Sequence, residues 1–272
     1  TGTDGTAYGF TPDKPLATID YAIGVCTASK GDIIYVMPGH AETVAATIAA
    51  DAIGISIIGI GNGRLRPAIT GLTGVATITV SVANVRLSNL RLIGVTGVTT
   101  HIAVQGDDLT VDHCVLEAGA GPLKTIRVGG AATVKGHRLN IHDCLFLGTA
   151  DGPDYAIDFA SSCPDNWIIE KCKFNYGTFG LDNAGIAARV SAPQGFLISN
   201  CLFYGMDTLG IDFNSSSALT GDGEIMDCRI GASAAITSIE DLIDVGGALC
   251  FNVLANDQTA ARAANIPLTT AS

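Results

Sequence analysis

The chain has 272 residues, 15 basic against 26 acidic for a formal net charge of −11, and is 47% hydrophobic but only 15% charged. It contains no basic run, which makes nucleic acid and anionic membrane poor partners. Its longest apolar stretch, around residues 48–61, is interrupted by Asp51 and several Gly, so the roughly 20 continuous apolar residues of a membrane helix are missing. With so little charge available, Ala, Thr, Ser and Gly must cover much of the exterior, which suits a protein whose flanks are shielded by neighbours in an assembly.

In chain order, TGTDGTAYGF is polar and Gly-rich and lacks the charged start and apolar centre of a signal peptide. Residues 15–28, PLATIDYAIGVCTA, then place Leu16, Ile19, Ile23 and Cys26 at helical spacing behind a Pro, which predicts a short amphipathic helix. GDIIYVMPG at 31–39 reads as the first strand. GIGNG at 59–63 has the glycines of a phosphate loop but not the Lys and Ser/Thr that follow them there, so it reads as a turn.

From this point two columns recur. VDHCVL at 111–116, IHDCLF at 141–146, IEKCKF at 169–174, ISNCLF at 198–203 and IMDCRI at 225–230 share one template, and LSNLRL at 87–92 and ISIIGI at 55–60 fit it with Leu90 and Ile58 in the Cys position. About half a period later an apolar residue, a variable one and usually a second apolar one recur as ITV, IAV, IRV, IDF, LDN, IDF and IDV, centred on Thr79, Ala103, Arg127, Asp158, Asp182, Asp212 and Asp244. Short Ile-, Val- and Phe-rich segments between Gly, Asn and Asp turns are strands. A unit of 24 to 32 residues built only of strands cannot bury its apolar side alone, whereas stacked units share a continuous core. The expectation is an all-β, right-handed parallel β-helix of about seven or eight coils with a short N-terminal capping helix. Its parts would be a cap over residues 1–30, the solenoid over 31–247, and a C-terminal cap or assembly tail over 248–272 with a short helix at 257–264. Leucine-rich repeats have a similar period but a fixed Leu and Asn spacing that is absent, and an antiparallel sandwich would not keep two columns in step.

The segments DGTAYGFTPDKPLATIDYAI, GDIIYVMPGHAET and ISIIGIGNGRLRP, with the repeated I-x-(N/D)-C-x-F units, resemble the pectin lyase-like parallel β-helix superfamily over essentially the whole chain. That resemblance implies the fold more than an activity, because the superfamily includes polysaccharide lyases and hydrolases, pectin esterases, adhesins and structural proteins of tailed bacteriophages. The Cys-bearing coils, the low charge and the absence of the paired Asp and His-Gly constellation of polygalacturonase-like hydrolases, or of the Arg motif of pectate lyases, resemble the phage members most.

Three sets of residues could carry chemistry. Cys114, Cys144, Cys172, Cys201 and Cys228 fall in one inward column and read as reduced, packed thiols, because stacked neighbours near 5 Å exceed the roughly 3.5–4.5 Å between the Cβ atoms of a disulfide. No Cys-x-x-Cys pair or zinc spacing is present. Asp158, Asp182, Asp212 and Asp244 read as an outward ladder: a solvated face first, a cation site second, and a catalytic groove third, with Asp158, Asp182 and Asp212 as the candidate acids. His40, His101, His113, His137 and His142 fall at different coil positions and read as polar turn or surface residues. The leading expectation is a non-enzymatic structural protein of a tailed-phage virion, a capsid decoration or spike-like projection assembled in the host cytoplasm. It would be a homotrimer contacting the major capsid or another virion protein, with no cofactor. The competitors are a polysaccharide-cleaving or carbohydrate-binding β-helix that meets a host polysaccharide through the Asp ladder, and a secreted bacterial adhesin.

Overall fold

The structure is a computed structural model that describes residues 2–120, 124–129, 136–148, 154–160, 163–177, 181, 183–188, 194–206, 209–213, 222–232, 243–244, 249–251, 254–256 and 264–265. Among the described residues a set of three strands recurs eight times and builds a right-handed parallel β-helix of three long sheets. The fourth coil is representative: Thr110–Asp112 lies in the first sheet, Val115–Ala118 in the second and Lys124–Val128 in the third. Each strand bonds in parallel to its counterpart one coil before and one coil after. A partial ninth coil, Leu249–Phe251 and Leu254–Asn256, ends against Ala264–Asn265, the one antiparallel partner among the described strands. Ala264 is the last residue of the helix that the sequence suggests at 257–264, the remainder of which lies outside the described residues.

Stacking in register converts each inward position into a column of like side chains. In the third sheet Ile48, Ile78, Ile102, Ile126, Ile157, Ile186, Ile211 and Ile243 lie one above another. In the second sheet Ile69, Leu92 and Leu116 give way to Phe146, Phe174 and Phe203. The three rings stack with centroids 4.5 Å apart and interplanar angles of 14° and 3°, close to the interstrand spacing of about 4.8 Å. Aromatic pairs so offset add to the burial of their area. Trp167 makes a second stack between Phe159 and Phe196.

The corner from first to second sheet explains the Cys template. Asn89, His113, Asp143, Lys171, Asn200 and Asp227 all adopt φ of 53–56°, a left-handed conformation that Asn and Asp tolerate best. This bend turns the chain so that the following residue points inward. That residue is Leu90 and then Cys114, Cys144, Cys172, Cys201 and Cys228, all buried. Backbone bonding continues around the bend, since the N–H of Asn89, His113, Asp143, Lys171 and Asn200 each donates to a carbonyl of the next coil. Ile58 is not a member of this column: it is in register with Ser88 and faces outward. Cys144, Cys172, Cys201 and Cys228 donate weakly to the carbonyl two residues earlier at 3.3–3.4 Å. Hydrogen bonding to Cys144 and burial hold the Cys114 thiol well above its ordinary range, and burial does the same for Cys144 and Cys172. The column therefore acts as small apolar filler that also satisfies carbonyls.

The N-terminal helix is shorter than its sequence pattern. It spans Ile19–Val25, and the Thr18 hydroxyl accepts from the Tyr21 N–H as the N-cap. Ile19, Ala22 and Ile23 are buried at the end of the stack, where an uncovered β-helix would expose sheet ends and core. Gly106 shows how closely coils approach, because a Cβ there would lie 1.9 Å from the Val82 carbonyl oxygen.

His101 is a core residue rather than a turn residue. It is fully buried, with Nε2 2.8 Å from the Glu117 carbonyl oxygen and Nδ1 3.5 Å from Thr77 Oγ1. Nε2 is accordingly the protonated nitrogen. Burial pushes its pKa down to about 4 from 6.5.

Two outcomes are expected. Phe174→Ala, which removes the middle ring of the stack, should cost about 3–5 kcal/mol in denaturant unfolding, and a loss under about 1 kcal/mol would show that the column is not packed as described. The unfolded chain takes up a proton on residue 101 below the ordinary histidine value, while the folded chain does not until about pH 4. Stability from neutral His101 is thus complete above 6.5 and is lost progressively as pH falls toward about 4. Melting curves across this window should show a steeper acid decline for the wild type than for His101→Gln; parallel declines would contradict it.

Candidate functional site

The outer face of the third sheet holds the aspartates singled out in the sequence, and their order differs from the ladder expected there. The register runs Thr79, Ala103, Arg127, Asp158, Ala187, Asp212, Asp244. Ala187 occupies the place assigned to Asp182, which lies outside the described residues. The strand described in this coil is Ala184–Ala187, with Ile186 continuing the inward Ile column and Ala187 next to it on the outer face. Two of the carboxylates are not solvated. Asp158 and Asp212 are only 7% and 8% exposed, and Tyr155, Ala184 and Ala187 form a small buried apolar cluster on the same outer face. Cations do accompany them. Lys124 Nζ lies 3.9 Å from Asp158 Oδ2, and Arg127 is in register one coil below Asp158.

Asp158 and Asp212 are therefore separated by two interstrand steps, about 9.6 Å at about 4.8 Å each, with a methyl group between them. Asp212 and Asp244 are in register on adjacent coils.

A second group of chemically active side chains, which sequence spacing did not reveal, sits at the corner of the first and second sheets. Asp112 is in register with His142 of the next coil, and His113 donates its backbone N–H to the His142 carbonyl. The result is a square in which Asp112-His113 stands over His142-Asp143, each acid diagonal to the other. His113 Nδ1 lies 2.9 Å from Asp112 Oδ2 and His142 Nδ1 2.9 Å from Asp143 Oδ2, with ring centroids 6.0 Å apart and edge to face. Asp112 is held from the previous coil by both Arg86 Nε at 2.8 Å and Arg86 Nη2 at 3.0 Å, and by the Ser88 hydroxyl at 2.7 Å. Burial alone would raise its carboxyl, but the bonds from Arg86, Ser88 and His113 outweigh that and hold it at about 2. The signal lay in the period: 113 and 142 differ by 29, one less than the 30 residues that bring Asp112 over His142, and both lie within one residue of the left-handed bend.

Outside these two places the described charges bridge coils without converging. Arg91 makes a two-pronged pair with Glu117 at 2.8 and 2.9 Å, and Arg138 Nη2 bonds Asp108 at 2.7 Å. The first coil adds an apolar surface. A depression of about 900 Å³ beside the cap is lined in part by Phe10, Val25, Ile33, Tyr35 and Met37, which are 40–74% exposed. Among the described residues no helix is long and apolar enough to cross a membrane.

No family model matches the sequence, and no curated protein matches it. Solved structures do match in shape. A rhamnogalacturonan lyase superposes with a TM-score of 0.57 at 14% identity, over 86% of this chain and 67% of its own. The pectate lyase Pel9A gives 0.55 at 12%, over 95% and 78%. The pectin methylesterase of Aspergillus niger gives 0.54 at 15%, over 96% and 89%. At such identities the likeness concerns the path of the backbone, and this chain shares with them a right-handed parallel β-helix fold.

Proposed function

We propose that this chain is a structural β-helix, a rigid subunit of a tailed-phage virion that docks on its neighbours through the first coil and cap. The observation that supports this best is the group of exposed apolar side chains around the depression at that end. Ile33, Tyr35 and Met37 alternate on the outward side of the first strand, and Phe10 and Val25 extend the same surface. A contiguous exposed apolar patch of this kind marks a protein contact. The cross-coil pairs Arg86–Asp112, Arg91–Glu117 and Arg138–Asp108 fit the same reading, since they spend the few charges of the chain on tying one coil to the next. The virion setting comes from the resemblance of the Cys-bearing, low-charge coils to phage members of the superfamily.

A second reading is favoured by a specific observation. The matched lyases and the methylesterase are polysaccharide-acting enzymes, and the two interstrand steps between the strands of Asp158 and Asp212, about 9.6 Å, come close to the upper limit of the roughly 6.5–9.5 Å between the carboxyl groups of an inverting pair. In this reading one aspartate protonates the leaving oxygen while the other activates water, and Lys124 and Arg127 face an acidic sugar.

One experiment separates the two. Purified particles are assayed for the chain and its copy number relative to the major capsid protein, and the isolated chain is incubated with host capsule and lipopolysaccharide while new reducing ends or unsaturated products are followed. The structural reading expects a fixed, symmetric copy number, a trimer in solution, and loss of docking on Tyr35→Asp with the fold intact by circular dichroism. Absence from particles, or turnover that disappears in Asp158→Asn or Asp212→Asn, would overturn it in favour of the second.

A further inference from the structure

We propose that His113, His142 and Asp143 form a binding site for one divalent transition-metal ion of the zinc class, bridging the fourth and fifth coils at the corner of the first and second sheets. One donor atom from each of the three residues lies within 4.8 Å of the other two, the only such grouping of His, Cys, Asp and Glu among the described residues. The donors are imidazole, imidazole and carboxylate, a set that suits zinc, nickel, copper or cobalt rather than magnesium or calcium.

What distinguishes this corner from an accidental surface pair is how the rings are held. A metal-bound histidine usually directs its second nitrogen at a carboxylate, which fixes the tautomer and the ring. His113 does so here: its Nδ1 faces Asp112, which lies outside the ligand group, keeps the proton on Nδ1 and leaves the Nε2 lone pair available. His142 Nδ1 lies 2.9 Å from Asp143 Oδ2, so these two donors face one another on the same side of the corner. Asp112 is itself fixed, its side chain 1% exposed and bonded by Arg86 and Ser88. The backbone beneath is equally fixed, because His113 and Asp143 both occupy the left-handed bend.

Zinc takes nitrogen and oxygen donors at about 2.0–2.2 Å, so the three donors must draw together on binding. The other charged groups facing the corner are Arg86, Glu170 and Lys171. Arg86 is engaged by Asp112, and Lys171 Nζ lies 3.3 Å from Glu170 Oε1, so neither cation is directed at the ligands. Water would complete the coordination on the solvent side. The ion would staple two coils whose ligands are 29 residues apart in sequence.

The test uses the full-length, tag-free chain, stripped of metal by chelation and dialysis and titrated with zinc chloride in a calorimeter. Cobalt binding is followed in parallel by its visible absorption. One ion per chain is expected, with at least about tenfold weaker binding in His113→Ala and in His142→Ala, as for loss of a ligand or its support. His137→Ala, at a different corner, should bind as the wild type does, and circular dichroism checks that every variant is folded. Asp143→Asn, which keeps the shape of the side chain, should weaken binding in the same direction. Cobalt should give d–d bands without the near-ultraviolet charge-transfer band of a thiolate ligand. No saturable binding, a thiolate band, or zinc affinity unchanged in both folded histidine variants would each overturn the assignment.

Discussion

Every feature of this molecule depends on one constraint: each coil must return the chain to a point one interstrand spacing, about 4.8 Å, beyond where it began. The left-handed residue at the corner of the first and second sheets makes that return possible, and six residues from Asn89 to Asp227 repeat it with φ within a few degrees. Because the bend is sharp, the next inward side chain has little room. Leu fits once, at Leu90, and Cys fits five times, its thiol small enough to stack and able to donate to a nearby carbonyl. The Phe and Ile columns follow from the same repeat, since shape-matched rings and branched chains pack best on copies of themselves.

The repeat that favours like on like inside works against charges outside. Two like charges one coil apart at about 4.8 Å repel by roughly 3 kcal/mol at an effective dielectric of 20. Several outward columns avoid this by alternating kind. Ser88, Asp112 and His142 share one column and Arg127 precedes Asp158 in another, while Arg86 and Arg91 reach diagonally to Asp112 and Glu117 of the next coil. Exposed pairs of this sort contribute up to about 1 kcal/mol each, so their main effect is to prevent repulsion and fix register. The Asp158 column places Ala187 between Asp158 and Asp212, and departs from this only where Asp212 and Asp244 lie in register.

The shared fold does not carry an activity with it, because function lies in side chains placed on the coils. Two surfaces stand out from the regular columns. The first coil leaves Ile33, Tyr35 and Met37 apolar and exposed. The Asp112-His113-His142-Asp143 square concentrates imidazoles and acids on two adjacent coils, where the rest of the described corner carries isolated polar residues.

The sequence by itself determined the fold class, because burial requires periodicity and two columns kept their phase over seven periods. It also located the Cys column from Cys114 to Cys228, since the template around each Cys is nearly identical. It misplaced Ile58, whose neighbours alternate like those of a core strand, and it chose Asp182 over Ala187 because both segments offered an apolar residue at a permitted interval. Only the backbone register decided between them, through the Ile126, Ile157, Ile186, Ile211 column. The histidines were illegible for a different reason. His113 and His142 occupy different positions within their coils, one at the bend and one before it, and become neighbours only because an acid and an imidazole exchange places between consecutive turns. Spacing along the chain records one column at a time; the diagonal contact between two columns exists only once the coils are stacked.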